Sequence, residues 1–355
     1  MDNSAILQPN ALTQQTESQD QAKSNKSILV VLFIVIIITA SVGAGFFIIN
    51  MNSDNNSSDN NTSEEINNNQ DQNVSEESKS ELDLTALPLG DDKYSTSPKI
   101  GYVYSCQTSF GGSGAFEQGP WIDADAGTWD LTKKISVDGN VSWPQAYWEE
   151  SSSGEMRIIK SADLPDGHTT GEFPVATDDD AYNYDRNPNS IEEQTISFEV
   201  PKNPTLLSSP DCVGGEVGIA TTGVLIFNAF DAGGRDAVAT EIQDECEGHP
   251  QEGDYYHYHG YSSCFEDNEI KNEHSDLLGY ALDGFGIYGL KGENGVELST
   301  ADLDECHGHT HTIEWDGEEK EMFHYHMTQD FPYTVGCFRG QVTTKSLSSG
   351  GQGRP

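Results

Sequence analysis

Apolar residues fall into three regimes along this chain. From Ile28 to Ile49 there are 22 consecutive residues without a charge, enough at about 1.5 Å per residue to cross a bilayer core of about 30 Å. From Asn50 to Lys93 the chain is Asn, Ser, Asp and Glu with almost no aromatic or apolar residues, too little to offset the entropy of ordering. Beyond it, β-branched and aromatic residues return in short runs. Ile100–Cys106 alternates, Ile135–Trp143 surrounds an Asp138-Gly139 turn, Thr195–Val200 stops at Pro201, and Thr312–His326 surrounds a turn at Asp316-Gly317. A period of two predicts half-buried strands, and Asp-Gly between two such runs predicts a hairpin. Helical periodicity is scarce; Asp236–Asp244 is the best short candidate, carried by Ala237, Val238, Ala239 and Ile242.

The pattern predicts a cytoplasmic tail over residues 1–27, a transmembrane signal anchor over 28–49, an acidic tether over 50–93, one mainly β domain over 94–345 and a flexible tail over 346–355. The competing division parts two domains near Pro201–Pro210. Lys23 and Lys26 precede the apolar run and the first lysine after it is Lys79, which orients a single-pass protein with its N-terminus cytoplasmic and its main domain outside. The apolar run continues from Ser41–Gly45 into Phe46-Phe47-Ile48-Ile49, longer than the core of a cleaved signal peptide.

Charge narrows the partners. With 59 Asp and Glu against 18 Lys and Arg, the formal net charge is −41, which excludes nucleic acid and anionic lipid surfaces. The membrane, through the N-terminal helix, and a small molecule or cell-surface polymer remain.

One phrase occurs twice. Asp244-Glu-Cys-Glu-Gly-His249 leads to Tyr256-His-Tyr-His259, and Asp304-Glu-Cys-His-Gly-His309 leads to Phe323-His-Tyr-His326. Such self-similarity predicts an imperfect internal duplication of one supersecondary unit. Nine of the ten histidines lie between His249 and His326. On a strand, His257 and His259 project to one face while Tyr256 and Tyr258 project to the other, and His324 and His326 do the same. Each copy therefore offers an i, i+2 imidazole pair, a partial shell for zinc, copper, iron or manganese.

His249 and His309 are natural additional ligands, and His307 and His311 extend the second set. The copies differ, since Glu247 stands where the second has His307. Two unlike sites, one degenerate site, or a single site shared by His257, His259, His324 and His326 all fit. The competing reading makes the histidines a structural network hydrogen-bonded to Asp244 and Asp304.

All six cysteines fall in the outer region, and an even count there favours disulfides. In each copy one cysteine precedes the histidine triplet and one follows, so symmetry pairs Cys246 with Cys264 and Cys306 with Cys337, leaving Cys106 with Cys212.

Other motifs carry less. Gly284-Phe-Gly-Ile-Tyr-Gly289 matches a dinucleotide fingerprint, but no helix can follow it, and a glycine-rich turn explains it. Asp283 before it reads as a turn-capping residue. The Asp178-Asp-Asp180 loop lacks the glycine and the glutamate of a calcium loop. No serine-hydrolase elbow and no zincin motif occurs. No catalytic residue is assigned; a metal-dependent oxidoreductase or hydrolase and a non-enzymatic binding module are the two functional readings.

Asp254-Tyr-Tyr-His-Tyr-His-Gly260, the paired Asp-Glu-Cys-x-Gly-His phrases, Leu278–Gly289 and Phe331–Cys337 together resemble the YHYH-domain proteins. The likeness extends upstream through Phe173-Pro174, Ala181–Ile191 and Gly234–Ala239. It implies a secreted or membrane-anchored protein and the extent of the domain, but no reaction or cofactor.

Overall fold

The computed structural model describes residues 82–342 except 113 and 268–272. The anchor, the tether up to residue 81 and the C-terminal tail lie outside the described residues. Among the described residues no helix is long and apolar enough to cross a membrane.

Short strands dominate, as the alternating runs require. In chain order they are β1 (Leu87–Pro88), β2 (Tyr94–Ser95), β3 (Val103–Tyr104), β4 (Ile122–Asp123), β5 (Thr128–Trp129), β6 (Trp148–Ser153), β7 (Met156–Ser161) and β8 (Ile196–Pro201). Then come β9 (Glu216–Ala220), β10 (Leu225–Phe227), the helix α1 (Ala237–Thr240), β11 (Gly248–Pro250) and β12 (Tyr256–Tyr258). The last four are β13 (Leu277–Ala281), β14 (Gly286–Tyr288), β15 (Gly308–Trp315) and β16 (Glu318–His326).

An eight-stranded sheet runs β11-β12-β10-β9-β13-β14-β16-β15, accompanied by the three-stranded sheet β6-β7-β8 and two small sheets. The order is symmetric about its centre. In each half a hairpin is followed by a second hairpin whose last strand returns parallel to the first, β12 beside β10 and β16 beside β14. The halves meet through antiparallel β9 and β13, where Gly218 faces Ala281, Ile219 faces Tyr280 and Ala220 faces Gly279. A pseudo-two-fold axis therefore passes through the Ile219–Tyr280 pair, normal to the sheet. Gly218 and Gly279 are equivalent: a Cβ on either would lie 2.6 or 2.5 Å from a carbonyl oxygen of the opposite strand. The duplication in the sequence is a duplication of the fold.

The axis fixes where the histidines go. Ile219, Leu225 and His257 are successive cross-strand partners, and Tyr288 partners His326. Cross-strand partners point to one face, so both histidine pairs share a face of the sheet. Tyr256, Tyr258, Phe323 and Tyr325 point to the other, all buried in the core. Between the histidine pairs, Trp148 stacks on Tyr280 and the Arg157 guanidinium lies 4.3 Å over the same ring.

Several expectations are corrected. Residues 82–93, assigned to the tether, are packed: Leu87 is 1% exposed, and the Gly90 N–H donates to Asp236. The Asp138-Gly139 hairpin does not form. Val137 instead bridges Asp244 and Val141 bridges Thr170, while the Asp138 N–H donates to Asp179, so distant partners outcompete the local turn. Ile100–Cys106 pairs over Val103–Tyr104 as β3 and through a single bridge from Ser105 to Val213, with Ile100 exposed. No boundary falls near Pro201–Pro210, because the described residues belong to one compact unit. The Asp316-Gly317 hairpin is present, with both residues at positive φ as a tight turn of this kind requires. The predicted helix is the single turn α1, capped by Asp236.

Candidate metal centres

In the first half, β11 and β12 pair so that His249 lies directly opposite His257. His259 follows two residues on, and the three rings converge with centroid separations of 4.5–5.4 Å. All three residues are at most 3% exposed. Glu241, immediately after α1, brings Oε2 to 3.6 Å from His249 Nε2 and 3.7 Å from His259 Nε2. Phe227 packs its ring 4.3 Å from that of His257.

The hydrogen bonds fix where the lone pairs point. His259 Nδ1 meets the Asn228 carbonyl at 2.5 Å and His257 Nδ1 meets that of Tyr255 at 3.5 Å. A carbonyl only accepts, so each Nδ1 carries the proton and each Nε2 presents a lone pair. Yet the two Nε2 atoms face one another at 3.1 Å. Two lone pairs at that separation repel. Two nitrogens bound at a right angle to one ion, each about 2.1 Å from it, stand about 3 Å apart. Both ring nitrogens of His249 are buried without a hydrogen-bond partner. The arrangement has the dimensions of a coordination shell.

The second half repeats the construction at equivalent positions. His309 on β15 lies opposite His324 on β16, with their Nε2 atoms 3.1 Å apart. His324 Nδ1 donates to the Met322 carbonyl and His326 Nδ1 to that of Gly289, the counterparts of Tyr255 and Asn228. Two further imidazoles join. His274 donates from Nδ1 to the Ser275 carbonyl and sets Nε2 3.1 Å from that of His326, and His311 donates from Nδ1 to the Thr312 carbonyl. The five histidines can place their ligand atoms within 4.8 Å of one another, as can the three of the first half. Glu293 stands 3.9 Å from His311 Nε2.

Burial sets the protonation states. Desolvation, reinforced by neighbouring imidazoles, holds His249 and His257 well below the usual histidine range, and desolvation brings His259 to about 4. Desolvation likewise lowers His309 to about 4 and His326 well below its ordinary value. The rings are neutral near pH 7, the form that binds a metal ion. Desolvation pushes the Glu241 carboxyl well up, a penalty that a cation alongside would relieve.

The two centres differ in access. All four candidate ligands of the first, Glu241, His249, His257 and His259, line a cleft of about 1180 Å³. In the second, His274, His309 and His311 are partly exposed while His324 and His326 are buried.

The structure brings His249 to His257 and His259, and His309 to His324 and His326. It does not bring the two pairs to one site. Strands β10, β9, β13 and β14 stand between β12 and β16, and five interstrand steps of about 4.8 Å separate them by about 24 Å. His307 is also outside the clusters. Its positive φ turns the ring away, and Nε2 meets the Thr328 hydroxyl at 3.1 Å. Asp244 and Asp304 do not hold histidines; each accepts the N–H groups of its own turn, Cys246 and Gly248 or Cys306 and Gly308. Asp283 caps its turn through the Phe285 N–H and also accepts from Tyr325.

Disulfides join Cys106 to Cys212, Cys246 to Cys264 and Cys306 to Cys337, so no thiolate is available among them. Two participants had no signal in spacing. Glu241 lies outside the repeated phrase, and His274 shares only the histidine-rich window.

Comparison with curated proteins and with solved structures finds no match. The family model described as YHYH protein matches residues 197–300, from β8 through the first histidine cluster to the residues before β15, and leaves β15 and β16 beyond its end. That match spans the first half together with β13 and β14 of the second, and the same histidine-aromatic-histidine element is rebuilt beyond its end in β16, so the chain contains a region that matches the YHYH protein family.

Proposed function

We propose that this protein is a membrane-anchored, extracytoplasmic metal-binding protein holding one transition-metal ion in each half of its duplicated sheet. One observation carries the reading: in each half of the sheet two imidazole Nε2 lone pairs face each other at 3.1 Å with their Nδ1 protons committed to backbone carbonyls, His257 with His259 and His274 with His326. Three imidazoles and a carboxylate in the first centre suit manganese, iron or zinc, whereas five imidazoles in the second suit copper or zinc. Because the first centre lines a cleft, it is the one where a metal-dependent oxidation or hydrolysis would occur; the second is a binding centre. The anchored, outward placement is supported by the Ile28–Ile49 run, its lysine flank and the three disulfides.

Elemental analysis of the purified full-length chain tests this. Two equivalents of transition metal are expected, with one lost in His257→Ala/His259→Ala and the other in His324→Ala/His326→Ala. A native protein never exposed to chelator that contains no transition metal, and binds none on titration, would establish the histidines as purely structural. Placement is tested separately: the chain should stay with membranes through an alkaline carbonate wash and be digested by protease added from outside, and release by the wash or protection from protease would refute it.

A further inference from the structure

The cleft over the first centre is built from few uncommitted groups. Its polar side chains are mostly occupied by the fold. Asp231 accepts from the Gly233 and Arg235 N–H groups and pairs with the Arg235 guanidinium at 2.7 Å. Asn187 donates to the Pro250 carbonyl and accepts from Asn189, Asn228 accepts from the Phe230 N–H, and Asp185 accepts from the Ile242 N–H. A polyol would find few open partners beside the ligands.

Aromatic surface is what remains. Phe227 reaches the cleft beside His257, Phe230 and Phe110 lie together with centroids 5.5 Å apart, and Phe116, 56% exposed, carries the Arg186 guanidinium 3.6 Å above its ring. Asp185, Asp231, Glu241 and Glu252 outnumber Arg186 and Arg235 in the lining, which disfavours a polyanion. A neutral molecule that becomes anionic only on reaching the ion suits both facts.

Resting on the two-centre reading, we propose that the first centre takes a small phenolic or catecholic molecule, its oxygen bound to the ion and its ring against Phe227. On binding, the phenol proton passes to solvent, the oxygen replaces a metal-bound water, and no electron is transferred. The second half has Tyr288 at the position of Phe227, its ring 5.0 Å from that of His324 and its hydroxyl donating to the Glu314 carbonyl.

The probe is 4-nitrocatechol, whose absorption reports deprotonation, titrated into the full-length His324→Ala/His326→Ala variant so that only the first centre remains. One saturable equivalent is expected. Phe227→Ala should weaken binding by about tenfold through lost ring contact while elemental analysis shows the metal retained, and Phe227→Leu should fall between. Acetate, an oxygen donor without a ring, should bind at least tenfold more weakly than 4-nitrocatechol. Equal affinity of wild type and Phe227→Ala, parity with acetate, or an unchanged spectrum at full metal occupancy overturns the proposal and leaves the metal centre standing. Absence of metal from this variant overturns both, and the elemental analysis distinguishes the two failures.

Discussion

The two halves of the large sheet start from the same parts and end at different centres. Both place a histidine pair on the last strand, a third histidine opposite, and backbone carbonyls behind the pair. What differs comes from the connections. The first half inserts Glu241 from the end of α1, while the second inserts His274 from the loop before β13 and His311 two residues further along β15, where the first half has Gln251. The sheet supplies the same three-imidazole frame in both halves, and the segments around it decide which further side chains join it and how open it is.

Equivalent substitutions in the two halves break or sharpen this contrast. The largest difference is expected at the turn carboxylates. Asp244 is 3% exposed and accepts from Gly171 and the Tyr256 hydroxyl besides its own turn, whereas Asp304 is partly exposed beside Arg339. Asp244→Ala strands several buried donors and should cost about 3 to 4 kcal/mol, against about 1 for Asp304→Ala. Urea unfolding of both variants checks this, and equal losses would mean that the frame, not its surroundings, sets the stability.

The axis residues should behave alike. Gly218→Ala and Gly279→Ala each drive a methyl group to within 2.6 Å of a carbonyl oxygen on a central strand, for a loss of about 2 to 3 kcal/mol in either case. Should one be tolerated and the other not, the symmetry of the β9–β13 pair would be lost in solution; thermal unfolding decides.

The smallest effect lies at the aromatic preceding the histidine pair. Tyr256 donates to Asp244 and its counterpart is Phe323. Tyr256→Phe should lose about 1 kcal/mol with metal content unchanged in both halves, measured by urea unfolding and elemental analysis together. A loss of metal would show that the core face and the histidine face are coupled.

The histidine triplets, their counterparts His249 and His309, the cysteine pairs and the Asp316-Gly317 turn were legible because each depends on spacing along one or two neighbouring strands. The separation of the centres was not. It follows from β9 pairing with β13, which sets the copies back to back, and nothing in the repeated phrase specifies which edges meet. Glu241 and His274 were hidden for a related reason: each arrives through a connection whose path is set by tertiary packing. The failed hairpin at Asp138-Gly139 shows the converse, a strong local turn signal overruled by bridges to Thr170 and Asp244.

The pleat of β12 and β16 gives the sequence an odd–even grammar. Histidines at 257 and 259 reach one side and Tyr258 the other only while the count from the preceding turn is kept. Exchange of one aromatic for another, as between Tyr256 and Phe323, leaves the message intact. Insertion of a single residue before His257, with the rest of the register held, would send two imidazoles into the core and a tyrosine into the cleft. The element should therefore be far more tolerant of spelling changes than of changes in length.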